Sequence, residues 1–186
     1  MRLSNHVNNR ALATSIFLML AFMTADSRLA AQTEREFNEH LTAFAPYVGQ
    51  WTCDSKWQAG SEFWAQNDYS VGMNGNFLKA NTSTKNASGG IYQRYETTWL
   101  YDQKEERLET YGFAYDGTVT RTYPEIVQVD DKHPIIRSAW QQPDGSFIKQ
   151  EVQMDDGEKS YQWRVWSSSD EKEWALLMDG VWNKSE

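Results

Sequence analysis

Phe44-Ala45-Pro46-Tyr47-Val48-Gly49-Gln50-Trp51 is the stretch at which the chain changes its period. Before it, Phe37, Leu41 and Phe44 recur at helical spacing, which predicts a helix over Thr33–Phe44. Thr33 suits an N-cap, Glu34 and Glu36 suit the positive end of the helix dipole, and Pro46 is a stop. After it, short alternating runs rich in aromatics are separated by Gly, Asp and Asn.

The runs predict about ten strands: Trp51–Trp57, Phe63–Val71, Phe77–Thr84, Ile91–Tyr101, Arg107–Tyr115, Thr118–Val129, Ile135–Gln141, Ser146–Met154, Ser160–Ser167 and Trp174–Trp182. Asn74-Gly75, Gly89-Gly90, Asp116-Gly117, Asp144-Gly145 and Asp156-Gly157 sit between them and supply the positive φ angles of tight hairpins. Parallel pairing needs helical crossovers, for which the sequence offers no segment. The fold class is therefore all-β: an antiparallel up-and-down β-barrel with one short N-terminal helix.

Alternation along each strand assigns the faces. Putting Arg137, Lys149, Glu151 and Arg164 outside makes a cross-strand set of mixed charge. Putting them inside would cost several kcal/mol for each poorly paired ion, by order of magnitude. Arg94 and Glu96 go outside by the same argument. Tyr111, Phe113 and Tyr115 share their face with Arg107 and Glu109; the aromatic face is read as inward, with the charges near an open end. The expected interior is aromatic, with neutral polar groups that include Asn67, Gln93, Ser138 and Tyr161. Tyr69, Tyr95, Trp99, Tyr111, Trp140, Gln150 and Trp163 are the expected ligand-binding residues. The rings would give contact area, and Gln150 and the tyrosine hydroxyls would orient a small apolar or aromatic molecule. The competing expectation is that these side chains simply fill the barrel.

Arg2 and Arg10, an apolar run over Ala11–Ala25, and the small residues Ala30 and Ala31 together read as a secretory signal peptide over residues 1–31. The run is short for a membrane span, so no stable membrane insertion is expected after cleavage. Residues 32–186 then form one exported domain, periplasmic or secreted. The whole chain carries a net charge of −8. Three of its basic residues and one acidic residue leave with the signal peptide, so the mature surface is more acidic still and repels phosphate backbones. Nucleic acid is not an expected partner. The single cysteine, Cys53, excludes an internal disulfide and reads as a buried thiol.

A short helix leading into Gly49-Gln50-Trp51 at the start of the first strand, followed by an antiparallel meander, resembles the calycin superfamily, its lipocalins and related bacterial lipocalin-like domains. The resemblance implies that Gly49 and Trp51 form the Gly-x-Trp element whose Trp closes one end of the barrel. It implies that Lys184, after Trp182, is the basic residue packed on that Trp. It also implies small-molecule binding, without dictating the ligand.

Chemistry finds little foothold in the sequence. His40 and His133 form no ligand cluster with Cys53, so no metal site or cofactor is expected. No Gly-x-Ser-x-Gly elbow or phosphate loop occurs, and no catalytic residue is assigned. Two other functions remain open. Reversed parity would gather Arg94, Glu96, Arg137, Lys149, Glu151 and Arg164 in the barrel, as a cofactor-independent lyase or isomerase would need. Exposed Trp57, Trp64 or Trp166 would suit a carbohydrate- or protein-binding module.

Overall fold

The computed structural model describes residues 37–129 and 132–185. Thr33 and the signal-peptide segment lie outside these residues. The helix is a 3₁₀ helix over Glu39–Tyr47, and Pro46 sits inside its last turn rather than ending it. The Asn38 side chain caps it by accepting from the His40 N–H at 3.1 Å. Its inner side buries Leu41, Phe44 and Tyr47.

Eleven strands follow: β1 (Gly49–Lys56), β2 (Glu62–Gly72), β3 (Phe77–Lys85), β4 (Ile91–Asp102), β5 (Arg107–Ala114), β6 (Val119–Thr122), β7 (Glu125–Val129), β8 (Lys132–Gln141), β9 (Phe147–Met154), β10 (Ser160–Ser168) and β11 (Ala175–Lys184). They form one antiparallel sheet, curled into a half-barrel, in the order β6-β5-β4-β3-β2-β1-β11-β10-β9-β8-β7. Each neighbour is a chain neighbour except at β1–β11, where Trp51 stands opposite Lys184 and the first and last strands join.

Turn chemistry explains the hairpins. Gly117 and Gly145 have φ of +85° and +88°, which a side-chain-bearing residue rarely adopts. Beside them, Asp116 and Asp144 accept from the Thr118 and Ser146 N–H groups. The Asp156-Gly157 turn departs from expectation: the positive φ falls on Glu158, and Asp155 holds the turn by accepting from the Lys159 and Ser160 N–H groups.

The expected strand Thr118–Val129 is two strands. β6 and β7 run in the same direction, separated by Tyr123-Pro124. β6 pairs only with β5, over Thr110–Phe113, and β7 pairs only with β8, from Lys132 to Arg137. The chain thus changes partner at Pro124, which has no N–H to give to either ladder. The lower part of β5, Arg107–Glu109, has no strand partner on the side toward β7. The sheet has a seam there.

The core sits at the helix end. Leu41, Phe44 and Tyr47 pack with Trp51, Leu78, Met154, Tyr161 and Trp182 into one buried cluster. Burying a large apolar side chain of this kind contributes about 1.5–3 kcal/mol. The Trp51 indole N–H donates to the Tyr47 carbonyl at 2.6 Å, so the plug is hydrogen-bonded to the wall as well as packed on it.

Candidate functional site

Strand pairing fixes which side chains face the interior. Trp51, Asn67, Thr82 and Tyr95 are successive partners across β1–β4. Trp182, Tyr161 and Met154 do the same across β11–β9. On the outer face, Arg137 bonds Glu151 at 2.8 Å, Arg164 lies 3.5 Å from Asp179, and Lys79 lies 3.4 Å from Glu96. Lys149 sits over the Trp166 and Trp174 rings, and Lys85 over Trp64. The charged groups proposed for reversed parity are therefore not gathered in the barrel. Arg94 is the extra residue of a bulge opposite Thr82/Ser83. That bulge turns Gln93 outward, where it bonds Asn81, so Gln93 is not an interior residue.

Six of the seven expected ligand-binding residues have inward parity. Tyr69 and Trp99 meet near the plugged end, with ring centroids 5.8 Å apart, and Trp99 lies 6.1 Å from Phe44. Trp163 and Gln150 meet on the β9–β10 wall, where the indole N–H donates to Gln150 Oε1 at 3.3 Å. Trp140 stands opposite Ile148 on β8–β9. Tyr95 is inward by register but 39% exposed, its hydroxyl accepting from Arg94 Nε at 2.9 Å.

Tyr111 is the correction. Thr110 pairs with inward Trp99, so Leu108, Thr110 and Gly112 face in, while Tyr111 and Phe113 face out with Glu109. The outer side of β5 and β6 holds a compact polar cluster. Glu109 accepts from Arg107 at 3.2 Å, Arg121 at 2.6 Å and the Tyr111 hydroxyl at 2.8 Å. These bonds hold its carboxyl below the usual carboxylate range, Arg121 foremost.

The interior has two unlike walls. Trp51, Trp182, Tyr161, Trp163 and Phe63 make one side aromatic. Across β5 and β6 the inward residues Thr110, Gly112 and Thr122 are small, beside Thr97 of β4. At Gly112 an added Cβ would lie 2.6 Å from Thr120 Oγ1, so the Thr120 side chain occupies the space over Gly112. Tyr69, Trp99, Trp140, Gln150 and Trp163 keep solvent access although they point inward. Deeper in, the Asn67 amide donates to Tyr161 and Tyr69 at 3.1 and 3.3 Å and accepts from Thr82 at 2.7 Å. Burial pushes the Tyr69 and Tyr161 hydroxyls up, so both stay neutral and can donate. Thr110 Oγ1 is buried without a hydrogen-bond partner. A lost partner for such a group costs about 1–3 kcal/mol.

A groove of about 480 Å³ lies at the seam. Glu39, His40, Thr42 and Ala43 of the helix form its floor; Tyr101, Glu106, Arg107 and Leu108 form one side and Pro124, Ile126 and Gln128 the other. His40 stacks on Tyr101, with ring centroids 3.6 Å apart and planes within 12°. Sequence reasoning missed this groove. The available signal was Tyr123-Pro124 inside an otherwise regular strand.

Among the described residues no group of three His, Cys, Asp or Glu is placed to hold a metal ion. Cys53 is buried beside Gly180, and burial pushes its thiol up to about 11. The Lys184 ammonium lies 5.2 Å from the Trp51 ring centroid.

No family model and no curated protein matches the chain. Solved structures do. A protein from M. tuberculosis, Rv2717c, is similar at a TM-score of 0.57 and 11% identity, covering 81% of this chain and all of that one. A designed fluorescence-activating β-barrel aligns at a TM-score of 0.38 and 13% identity, over 77% of this chain and 97% of the design. The S-type phycobiliprotein lyase CPES from Guillardia theta aligns at 0.45 and 10% identity, over 77% of this chain and 90% of the lyase. At 11% identity the likeness to Rv2717c is one of fold alone, that of an antiparallel β-barrel.

Proposed function

We propose that this chain is an exported small-molecule-binding protein, a bacterial lipocalin-like member of the calycin superfamily. It holds an apolar or aromatic ligand inside the barrel. The observation that carries the reading is the incomplete burial of inward side chains: Trp99, Trp140, Gln150 and Trp163 point inward and are only half-buried. A filled core would cover them. The rings supply apolar contact, and Gln150 and the neutral tyrosine hydroxyls supply orientation. The ion pairs of the outer face take no part.

Native mass spectrometry of the protein recovered from the exported fraction tests the reading directly. A retained small molecule is expected, with N-terminal sequencing placing the mature start near residue 32. Absence of any co-purifying molecule, together with no uptake of the neutral dye Nile red, would overturn it.

A second reading has one observation in its favour. Phe113, Tyr115, Val119 and Tyr123 lie exposed on or beside the outer side of β5–β6, and Tyr115 is 68% exposed. Such a patch suits a protein- or carbohydrate-binding face.

A further inference from the structure

We infer that the ligand is admitted and anchored through the side-wall groove at the seam, and that it is an amphiphile without negative charge whose buried end carries a hydrogen-bonding oxygen. The inference rests on the small-molecule reading above and adds where the molecule sits and what chemistry it carries.

The strands that flank the groove continue inward to a specific place. Leu108 lines it, and the next inward side chain along β5 is Thr110. Pro124 lines it from the other side, and the next inward side chain along β6 is Thr122, which stands opposite Thr110. Thr110 is also opposite Trp99, which keeps solvent access. One inward position beyond the groove's lining, the strands therefore place a ring and a buried hydroxyl with no protein partner. A buried hydroxyl in this position has no hydrogen-bond partner, and native structures rarely leave such groups without one. A carbonyl, ether or hydroxyl oxygen on a ligand supplies one, while the ligand's apolar body lies against Trp99, Leu108 and Ile126.

The mouth selects by charge. Glu39 and Glu106 line it, and Glu106 makes no ion pair among the described residues. Arg107 is already committed: it bonds Glu109 at 3.2 Å and its guanidinium lies 4.0 Å from the Tyr123 ring centroid. The chain as a whole is acidic. The uncompensated charge at the mouth is thus negative, which raises the local concentration of cations and disfavours anions. The flat His40–Tyr101 stack gives an arriving ring a surface to slide along.

The test uses the full mature chain, with neutral Nile red and anionic anilinonaphthalene sulfonate as probes. Nile red binding should weaken about fivefold in Thr110→Val, the loss of one modest hydrogen bond, and recover in Thr110→Ser. Ile126→Trp, which fills the groove, should weaken it about tenfold or more, and Gln128→Trp at the exposed rim covers the case in which Ile126→Trp fails to fold. The anionic probe should bind more weakly than Nile red, with the gap narrowing in the Glu39→Gln, Glu106→Gln double variant. If Nile red binding is lost in Trp163→Ala yet unchanged in Thr110→Val and both groove variants, the barrel still binds and the groove inference is overturned. If wild-type protein binds neither probe, the small-molecule reading itself fails and takes the inference with it.

Discussion

Arg121 Nη2 lies 2.6 Å from Glu109 Oε1 on the outside of the barrel wall, and the carboxylate is only 1% exposed. What covers Glu109 is side chain, not core: Arg107, Arg121, Tyr111 and Tyr123 lie over or beside it. Both arginines are more than 40% exposed. Water is one side chain away, so the cluster is screened far more than a core ion pair of the same geometry.

Glu109→Gln should lower Tm by a few degrees at neutral pH without changing the fold. The folded carboxyl titrates below its ordinary value of 4.5, so its stabilisation is present above that value and is lost as pH falls through the folded value. The stability gap between wild type and Glu109→Gln, read by urea melts, should be widest at pH 6–7 and should shrink on acidification below about 4.5. A gap that stays constant down to pH 3 would show that Glu109 contributes through packing alone.

The same cluster explains why one strand was misread from sequence. Along β5 the aromatic face is also the charged face, and the rule that rings go inward placed Tyr111 inside. The rings instead shield an arginine–carboxylate group, and the inward face is left to Leu108, Thr110, Gly112 and Ala114. Small inward residues make room, which is a signal of a cavity that hydrophobicity alone does not carry. The later strands were legible because Arg137, Lys149, Glu151 and Arg164 alternate strictly with apolar residues. The seam was not legible as a continuous pattern because β6 and β7 keep a common direction across Tyr123-Pro124; only the missing N–H marks the change of partner.

Trp51 should prove the most sensitive position of the plugged end. Its ring is fully buried, its indole N–H is bonded to Tyr47, and Tyr161 packs on it edge-on at 5.0 Å. Trp51→Ala should cost about 3–5 kcal/mol in urea unfolding. Lys184→Met removes only the cation over that ring and should cost about 0.5–1 kcal/mol, the worth of an exposed cation–π contact. Equal losses from the two variants would overturn the claim that Trp51 is the more sensitive position.

Cys53 should behave as an inert thiol. It is buried, stands opposite Trp182 and Ala65, and its thiol is pushed up to about 11, chiefly by burial. At pH 8 the thiolate fraction is small and the sulfur is covered, so Ellman's reagent should react only as fast as the protein unfolds. Adding urea should raise the rate in step with the unfolded fraction. Rapid modification of native protein at pH 8 would place the thiol near solvent and contradict its burial.

Hydrogen exchange should find the seam before any other part of the sheet. The β1–β2 and β9–β10 ladders each run eight residue pairs without a register shift and flank the buried cluster, so their amides should exchange only on global unfolding. On the side toward β7, Arg107–Glu109 has no ladder partner, and Ser138–Gln141 has none beyond the end of the β7–β8 pairing. Amides directed to that side should exchange on the timescale of local opening, and Val119–Thr122 should follow because β6 is held by four residue pairs alone. Binding of a molecule in the groove should slow exchange at Leu108–Thr110 and Ile126 more than at β1, since those residues line or adjoin its bed. Uniform protection across β5, β6 and β1, with or without ligand, would show that the wall is hydrogen-bonded through the seam and that no lateral opening exists for a ligand to use.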